Sequence, residues 1–230
     1  MSEAIIQLPR VSAKSIPEPT LRRLPQYYRV LKQLREGGRT NVSCTTIGTE
    51  LKLDPTQVRK DIEMTGTVGR PKIGYDIGEL LCAIERFLGW DNTTEAFLVG
   101  AGSLGEALLG YSGFAECGLQ IVAAFDTDPN KCHQVIHGKH VRHVSKLPNL
   151  MRRMRVRFGI ITVPAEEAQA AADLLVQGGV LAIWNFAPAK IRAPERVVVL
   201  NEDLYCSLAV LSHKMTGKLA ASRAKGASKP

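Results

Sequence analysis

Apolar positions in the first ninety residues recur at steps of three and four, whereas over the next hundred they come in short unbroken runs. The first rhythm predicts amphipathic helices and the second buried strands. Over residues 21–35, Leu21, Leu24, Tyr28, Leu31 and Leu34 keep helical spacing, and Gly37-Gly38 end the segment. Ile16-Pro17-Glu18-Pro19-Thr20 is the entry signal, with Thr20 as the expected cap. Pro25 is awkward there and fits only in a first turn. Ser43 opens a second helix with Ile47 and Leu51 on one face. Asp54 caps a third, Pro55 is its first residue, and it runs to Met64. Val58 and Ile62 are its expected inner side, leaving Gln57, Arg59, Lys60 and Asp61 outward. A short helix, a turn and a polar basic helix follow the helix-turn-helix plan. Residues 66–75, with three glycines, Pro71 and the cations Arg70 and Lys72, read as a β-hairpin wing. A further helix is expected over 76–88, and the turn-rich 89–94 marks a domain boundary.

Beyond that boundary the pattern alternates. Strands are expected at 95–100, 119–126, near 140–144, 157–163, 180–185 and 196–200, with helices at 103–112, 146–154 and 165–177. This order implies a doubly wound parallel sheet with helices on both faces. Its binding edge would be the strand ends at Gly100, Asp126, Val163-Pro164 and Asn185-Phe186. In a last helix over 201–215, Leu204, Leu208, Leu211 and Met215 form a stripe that packs on a partner subunit or on its own domain. The fold class is therefore α/β: a winged helix-turn-helix domain at 17–88, a Rossmann domain at 94–200 and a terminal helix at 201–216. A flexible arm (1–16) and a disordered basic tail (217–230) flank them.

Charge follows the same division. The net +8 is concentrated at the ends: residues 1–75 carry 13 Lys+Arg against 7 Asp+Glu, and 214–230 carry five cations and no acid. That asymmetry suggests a polyanion for the N-terminal part. No run is long enough for a membrane span, and the N-terminus lacks a signal-peptide plan. The five cysteines are scattered without C-x-x-C spacing, which argues against a zinc site and fits a reducing cytoplasm.

The chemistry concentrates at Gly100-Ala101-Gly102-Ser103-Leu104-Gly105, a G-x-G-x-x-G between an apolar run and a helix. Gly100 permits a sharp turn, Gly102 lets a pyrophosphate approach the backbone, and Gly105 lets the helix pack closely. Asp126 ends the next apolar run, 21 residues after Gly105, where a carboxylate holds ribose hydroxyls. Thr127 and Asp128 follow it and no Arg comes before Arg142. Two carboxylates repel a 2′-phosphate and no cation is expected nearby, so the spacing favours NAD(H) over NADP(H).

Taken together, the chain resembles the Rex family of NADH-sensing transcriptional repressors over about residues 16–215. The resemblance is carried by Arg22-Arg23-Leu24-Pro25-Gln26-Tyr27-Tyr28-Arg29, Gln57-Val58-Arg59-Lys60-Asp61 and Gly74-Tyr75. It continues through the glycine turn, Tyr111, Phe125-Asp126, Thr162-Val163-Pro164-Ala165, Asn185-Phe186-Ala187-Pro188 and Asn201-Glu202-Asp203-Leu204. It implies a homodimer that exchanges its C-terminal helix and reads a palindromic double-stranded operator. It also implies that NADH releases the DNA while NAD+ permits binding. By position, the glycine turn, Tyr111, Asp126, Thr162, Val163, Pro164, Asn185, Phe186 and Asp203 are implied at the cofactor. Arg29, Tyr111 and Asp203 are implied as the redox-reading cluster across subunits. Arg22, Gln57, Arg59, Lys60, Arg70, Lys72 and Tyr75 are expected at the DNA. Met64-Thr65-Gly66 departs from the family's aromatic-Phe-Gly, and Pro71 and Ile73 make the wing less glycine-rich. Leu204 stands where the family can carry an aromatic.

Two other readings compete. A dehydrogenase would need an acid–base group near the ring, but His133, His137, His140 and His143 come too early in the chain. A module whose N-terminal helices dock on protein would bind independently of salt.

Overall fold

The structure is a computed structural model, and it describes residues 16–227. The expected arm, apart from Ile16, and the last three residues of the expected tail lie outside the described residues. The chain divides into two compact units, one of Met1–Thr93 with Ala115–Gly118 and one of Thr94–Phe114 with Leu119–Pro230.

In the first unit, α1 (Glu18–Glu36) starts earlier than its apolar spacing predicts, directly after Pro17, with no side-chain cap. Two expectations are thereby corrected. Thr20 is not a cap but a buried residue of the helix, and Pro25 lies inside the helix. Pro25 forfeits one backbone hydrogen bond. The buried Leu24, Tyr27, Tyr28 and Leu31 hold the helix together across that gap. After β1 (Asn41–Val42) comes α2 (Cys44–Leu51), where Ser43 Oγ accepts the Thr46 N–H at 3.0 Å. The third helix, α3 (Pro55–Met64), is capped by Asp54, which accepts the Thr56 N–H at 2.7 Å. Then β2 (Tyr75–Asp76) pairs antiparallel with β1, and Asp76 caps α4 (Ile77–Leu88). The wing is smaller than a hairpin. A single bridge, Arg70 to Gly74, closes a tight turn over Pro71-Lys72-Ile73, and Lys72 takes a left-handed φ of 64°. Pro71 has no N–H to give a longer ladder. Leu24, Leu31, Ile47, Val58, Ile62, Leu80 and Ile84 form the fully buried core of this unit.

The second unit contains β3 (Thr94–Val99), α5 (Ser103–Leu109) and β4 (Leu119–Asp126), and α6 (Gly113–Glu116) begins in it and ends in the first. A small hairpin of β5 (Val135–Ile136) and β6 (Lys139–His143) precedes α7 (Leu147–Met154), β7 (Phe158–Ile161) and α8 (Ala168–Gly178). The unit closes with β8 (Ala182–Asn185), β9 (Val198–Asn201) and α9 (Leu204–Ala227). The sheet order is β5-β6-β4-β3-β7-β8-β9, and every pairing except β5 with β6 is parallel. The six parallel strands thus follow the 3-2-1-4-5-6 order of a Rossmann fold, with the topological switch between β3 and β7. Side chains of β3 alternate between two cores. Phe97 and Val99 pack with Leu147, Met151 and Leu175, whereas Ala96 and Leu98 pack with Leu109, Ile121 and Ile160. Burial on both faces is why these strands read as unbroken apolar runs.

The last helix extends well past the expected end at 216. It runs to Ala227, so the expectation of a disordered tail is corrected for 217–227. Within that stretch residues 218–225 are only Lys, Leu, Ala, Ser and Arg, a composition with good helix propensity, with glycines confined to 217 and 226 and no proline before Pro230. No described helix is long and apolar enough to cross a membrane.

A nucleotide cleft and a basic helix face

The cleft lies at the switch point, where the ends of β3, β4 and β7 meet. Gly100 ends β3 with φ +101°, and its N–H donates to the Phe125 carbonyl at 2.7 Å. A Cβ at Gly100 would press on the Thr162 carbonyl and the Val163 side chain, each at 2.8 Å. A Cβ at Gly105 would run into the Gly100 carbonyl. At Gly102, by contrast, nothing lies within 4 Å of that position. Two of the three glycines are therefore required by the protein's own packing, and the middle one stands beside open space. Thr162 Oγ1 donates to the Gly100 carbonyl at 2.7 Å and so ties β7 to the turn.

Asp126, at the end of β4, is 8% exposed. Its Oδ2 accepts the Ala101 N–H at 2.7 Å and its Oδ1 accepts the Asp128 N–H at 2.9 Å. The carboxylate thus braces the glycine turn from the neighbouring strand. Lys131 Nζ stands 3.5 Å from Oδ2 and lines the same cleft, which corrects the expectation that no cation is nearby. Five residues past Asp126, it was legible by position, and attention to Arg alone missed it.

The cleft holds about 590 Å³, and its walls include Gly100, Gly102, Leu104, Asp126, Thr162, Val163, Pro164 and Phe186 from the expected set. The other expected residues serve differently. Ala101 is fully buried and gives only its amide, Gly105 is a packing position, and Ser103 is exposed at the start of α5. Asn185 is fully buried. Its Nδ2 donates to Asn201 Oδ1 at 2.9 Å and to the Ala189 carbonyl at 2.8 Å, while Oδ1 accepts the Ala187 N–H at 3.1 Å. It shapes the loop that carries Phe186. Tyr111 and Asp203 are exposed and are not among the lining residues. Asp203 Oδ1 accepts the Tyr205 N–H at 2.9 Å, so it caps α9. The Cys206 thiol, with the Cys206 and Tyr205 amides, holds its carboxyl below the usual range. Sequence reasoning also missed Glu167 and Leu174, which reach the cleft from the stretch that leads into and through α8.

In the first unit, Arg59 and Lys60 are exposed on α3 and Arg29 is exposed on α1. Arg22 is exposed too, paired with Glu18 at 2.7 Å. Arg59, Arg70 and Lys72 line one shallow concavity of about 700 Å³, together with the hydroxyl residues Ser43 and Thr45. Tyr75, also expected at the DNA surface, is 8% exposed, lines the same concavity and packs its ring against Gly69.

The largest correction concerns Asp61. Expected outward, it is fully buried. Its carboxylate accepts Arg23 Nε at 2.6 Å and Arg23 Nη2 at 2.9 Å, Tyr27 Oη at 2.6 Å, Thr20 Oγ1 at 3.0 Å and Gln57 Nε2 at 3.0 Å. Burial alone would raise its pKa, but the bonds from Arg23, Tyr27, Gln57 and Thr20 outweigh it and hold the carboxyl below the usual range. Burial and the bond to Asp61 push the Tyr27 phenol up, and the same carboxylate raises Arg23. Gln57, expected outward, is thereby turned toward α1. Among the described residues no group of three or more His, Cys, Asp or Glu is placed to hold a metal.

Comparison with known proteins agrees in both units. Residues 91–189 match the family model of the CoA binding domain. Residues 15–62 match the model named "Putative DNA-binding protein N-terminus". The redox-sensing transcriptional repressor Rex of Treponema denticola is 45% identical over 87% of this chain and 95% of its own. That of Bacteroides fragilis is 42% identical over 91% of this chain and 95% of its own. Among solved structures, RSP with beta-NAD+ and operator DNA has a TM-score of 0.84 at 29% identity, covering 94% of this chain and 99% of RSP. RSP with beta-NADH has a TM-score of 0.81 at 28% identity, covering 90% and 98%.

Proposed function

The chain belongs to the Rex family of redox-sensing transcriptional repressors, and from that premise we propose how its residues divide the work. It is a DNA-binding repressor that responds to NADH and NAD+, and not an enzyme. The observation that carries the cofactor half is the glycine turn. Gly100 and Gly105 are fixed by packing, while Gly102 is open and Asp126 presents a carboxylate beside it. That set fits an adenosine diphosphate moiety, with the pyrophosphate against Gly102 and the ribose hydroxyls toward Asp126. CoA too contains an adenosine diphosphate, with a 3′-phosphate added on its ribose, in keeping with the likeness to a CoA-binding family.

The nicotinamide, when bound, supplies a ring that loses its positive charge on reduction. A protein distinguishes the two forms only through contacts that differ between them. Asp203 is held charged, so it is suited to register a ring cation. Arg29 and Tyr111 complete the reading cluster that the family resemblance implies. The second copy that this cluster requires is supported by α9, where Tyr205, Leu208, Leu211 and Met215 are each more than half exposed. We assign that apolar surface to a homodimer with exchanged terminal helices. Arg59 and Lys60 enter the operator groove, with Gln57 behind them, while Arg22, Arg70 and Lys72 take phosphates or the minor groove. The place of action is the cytoplasm, where a bacterial operator is found.

The test is a gel shift on a palindromic operator with the NADH:NAD+ ratio varied at constant total nucleotide. Rising NADH releases the duplex. Retention of the duplex at every ratio would refute the reading.

A further inference from the structure

One aromatic residue that does not line the cleft touches what three of the proposed site residues depend on. Trp184, half-buried on β8, packs its ring against Phe186 at 4.7 Å between centroids, and Phe186 is a wall of the cleft. On its other side it meets Phe114 edge-on at 5.8 Å, and Phe114 meets the Tyr111 ring at 5.0 Å and 77°. Tyr111 is further clamped over Gly113, where a Cβ would come within 2.7 Å of the phenol ring. The indole N–H is also committed, donating to Glu202 Oε1 at 3.1 Å. Glu202 in turn donates its own N–H to the Asn185 carbonyl at 2.8 Å, and Asp203 is the next residue.

We infer that Trp184 is a positioning residue for redox discrimination: it sets Phe186, Tyr111 and Asp203 relative to one another and so governs the preference for reduced over oxidised nicotinamide. The inference rests on the redox-sensor reading above. Its physical basis is that aromatic edge-to-face pairs fix ring orientation, and a half-buried indole N–H holds its acceptor in place. A shift of Phe186 changes a wall of the cleft, and a shift of Tyr111 or of the start of α9 changes the reading cluster assigned above, where the two nucleotide forms differ. The adenosine end, at Gly102 and Asp126, uses none of these residues.

The experiment measures affinities of the full chain for NADH, NAD+ and ADP by calorimetry, with the unmodified protein, Trp184→Phe and Trp184→Leu. Phe keeps the ring stack and loses the N–H donor, and Leu loses both. The expected result is an unchanged ADP affinity and a fall in the NADH:NAD+ affinity ratio. That fall is roughly three- to tenfold for Leu, a part of what its two aromatic pairs and one hydrogen bond are worth, and smaller for Phe. Equal losses for all three ligands would mean that Trp184 is only core packing, and an unchanged ratio would likewise overturn the inference. Equal affinity of the unmodified protein for NADH and NAD+ would instead sink the redox-sensor reading, and the inference with it.

Discussion

Among the described residues each unit buries two polar side chains, and it uses them in opposite ways. In the winged-helix unit Thr20 and Asp61 meet in the interior, between α1 and α3, and bond to each other. In the Rossmann unit Asp126 and Asn185 sit at the ends of β4 and β8, where each accepts a loop amide. The first pair ties α3 to α1. The second shapes the rim of a cleft whose surrounding core is apolar. A bundle of three or four short helices has few ways to lock its geometry, and a directional network supplies one. A parallel sheet is already locked by its ladder, so its buried polar groups serve instead to hold the loops at the strand ends.

Breaking the first arrangement has the largest expected effect. Asp61→Ala leaves the Arg23 guanidinium and the Tyr27 hydroxyl without their acceptor, and loss of one partner of a buried pair costs about 3–5 kcal/mol. Denaturant unfolding would show the cost in the winged-helix transition, with NADH binding retained. A loss below about 1 kcal/mol would mean that the network is ornamental. The same carboxylate gives a pH signature. Its pKa is lowered in the folded state, so its stabilisation is present above the unfolded value of about 3.9 and is lost as pH falls through the folded one. The winged-helix unit therefore weakens below about pH 4, and Asp61→Asn flattens that dependence. An acid slope that survives Asp61→Asn assigns it to other carboxylates.

The cleft is tested by its two kinds of glycine. Gly105→Ala drives a methyl into the Gly100 carbonyl, which costs about 1–3 kcal/mol of overpacking and distorts the turn, so NADH binding is lost along with stability. Gly102→Ala meets no protein atom and its φ of −85° suits alanine, so stability changes by no more than about 0.5 kcal/mol. Its methyl nevertheless occupies the approach to the turn, and NADH affinity falls about tenfold or more, the equivalent of 1.4 kcal/mol. Calorimetry on a Gly102→Ala protein that melts normally and binds NADH normally would remove the pyrophosphate from that turn.

The same contrast explains what could be read from the sequence. The Rossmann unit was legible because its determinants are local: Gly100, Gly102 and Gly105 share one turn, and Asp126 follows at a fixed distance. The Asp61 network was not: Gln57 is one turn away on the same helix, but Thr20, Arg23 and Tyr27 lie 34 to 41 residues upstream on another. One signal was present. Thr20, Leu24, Tyr27 and Leu31 share a helical face at steps of four, three and four, so the polar members point where the apolar ones do. Reading Thr20 as a cap concealed that face. The extension of α9 was missed because the basic tail was judged by charge and small residues, although alanine and lysine are good helix formers.

The smallest effect belongs to charge on the outside. Lys72 sits exposed at the tip of the wing turn with a left-handed backbone and no ion pair in the described structure. Lys72→Ala removes no packing, so folding is untouched, in contrast to the buried Asp61. If the lysine neutralises one phosphate, affinity falls evenly across operator variants, and the slope of log affinity against log salt drops by about 1. A loss confined to one operator position would make Lys72 a reader of bases. The wing, narrowed here by Pro71, would then carry sequence specificity as well as affinity. An unchanged salt slope would leave Arg22, Arg59, Lys60 and Arg70 as the electrostatic footprint, and the division between a charged inside that sets geometry and a charged outside that binds would rest on those four cations.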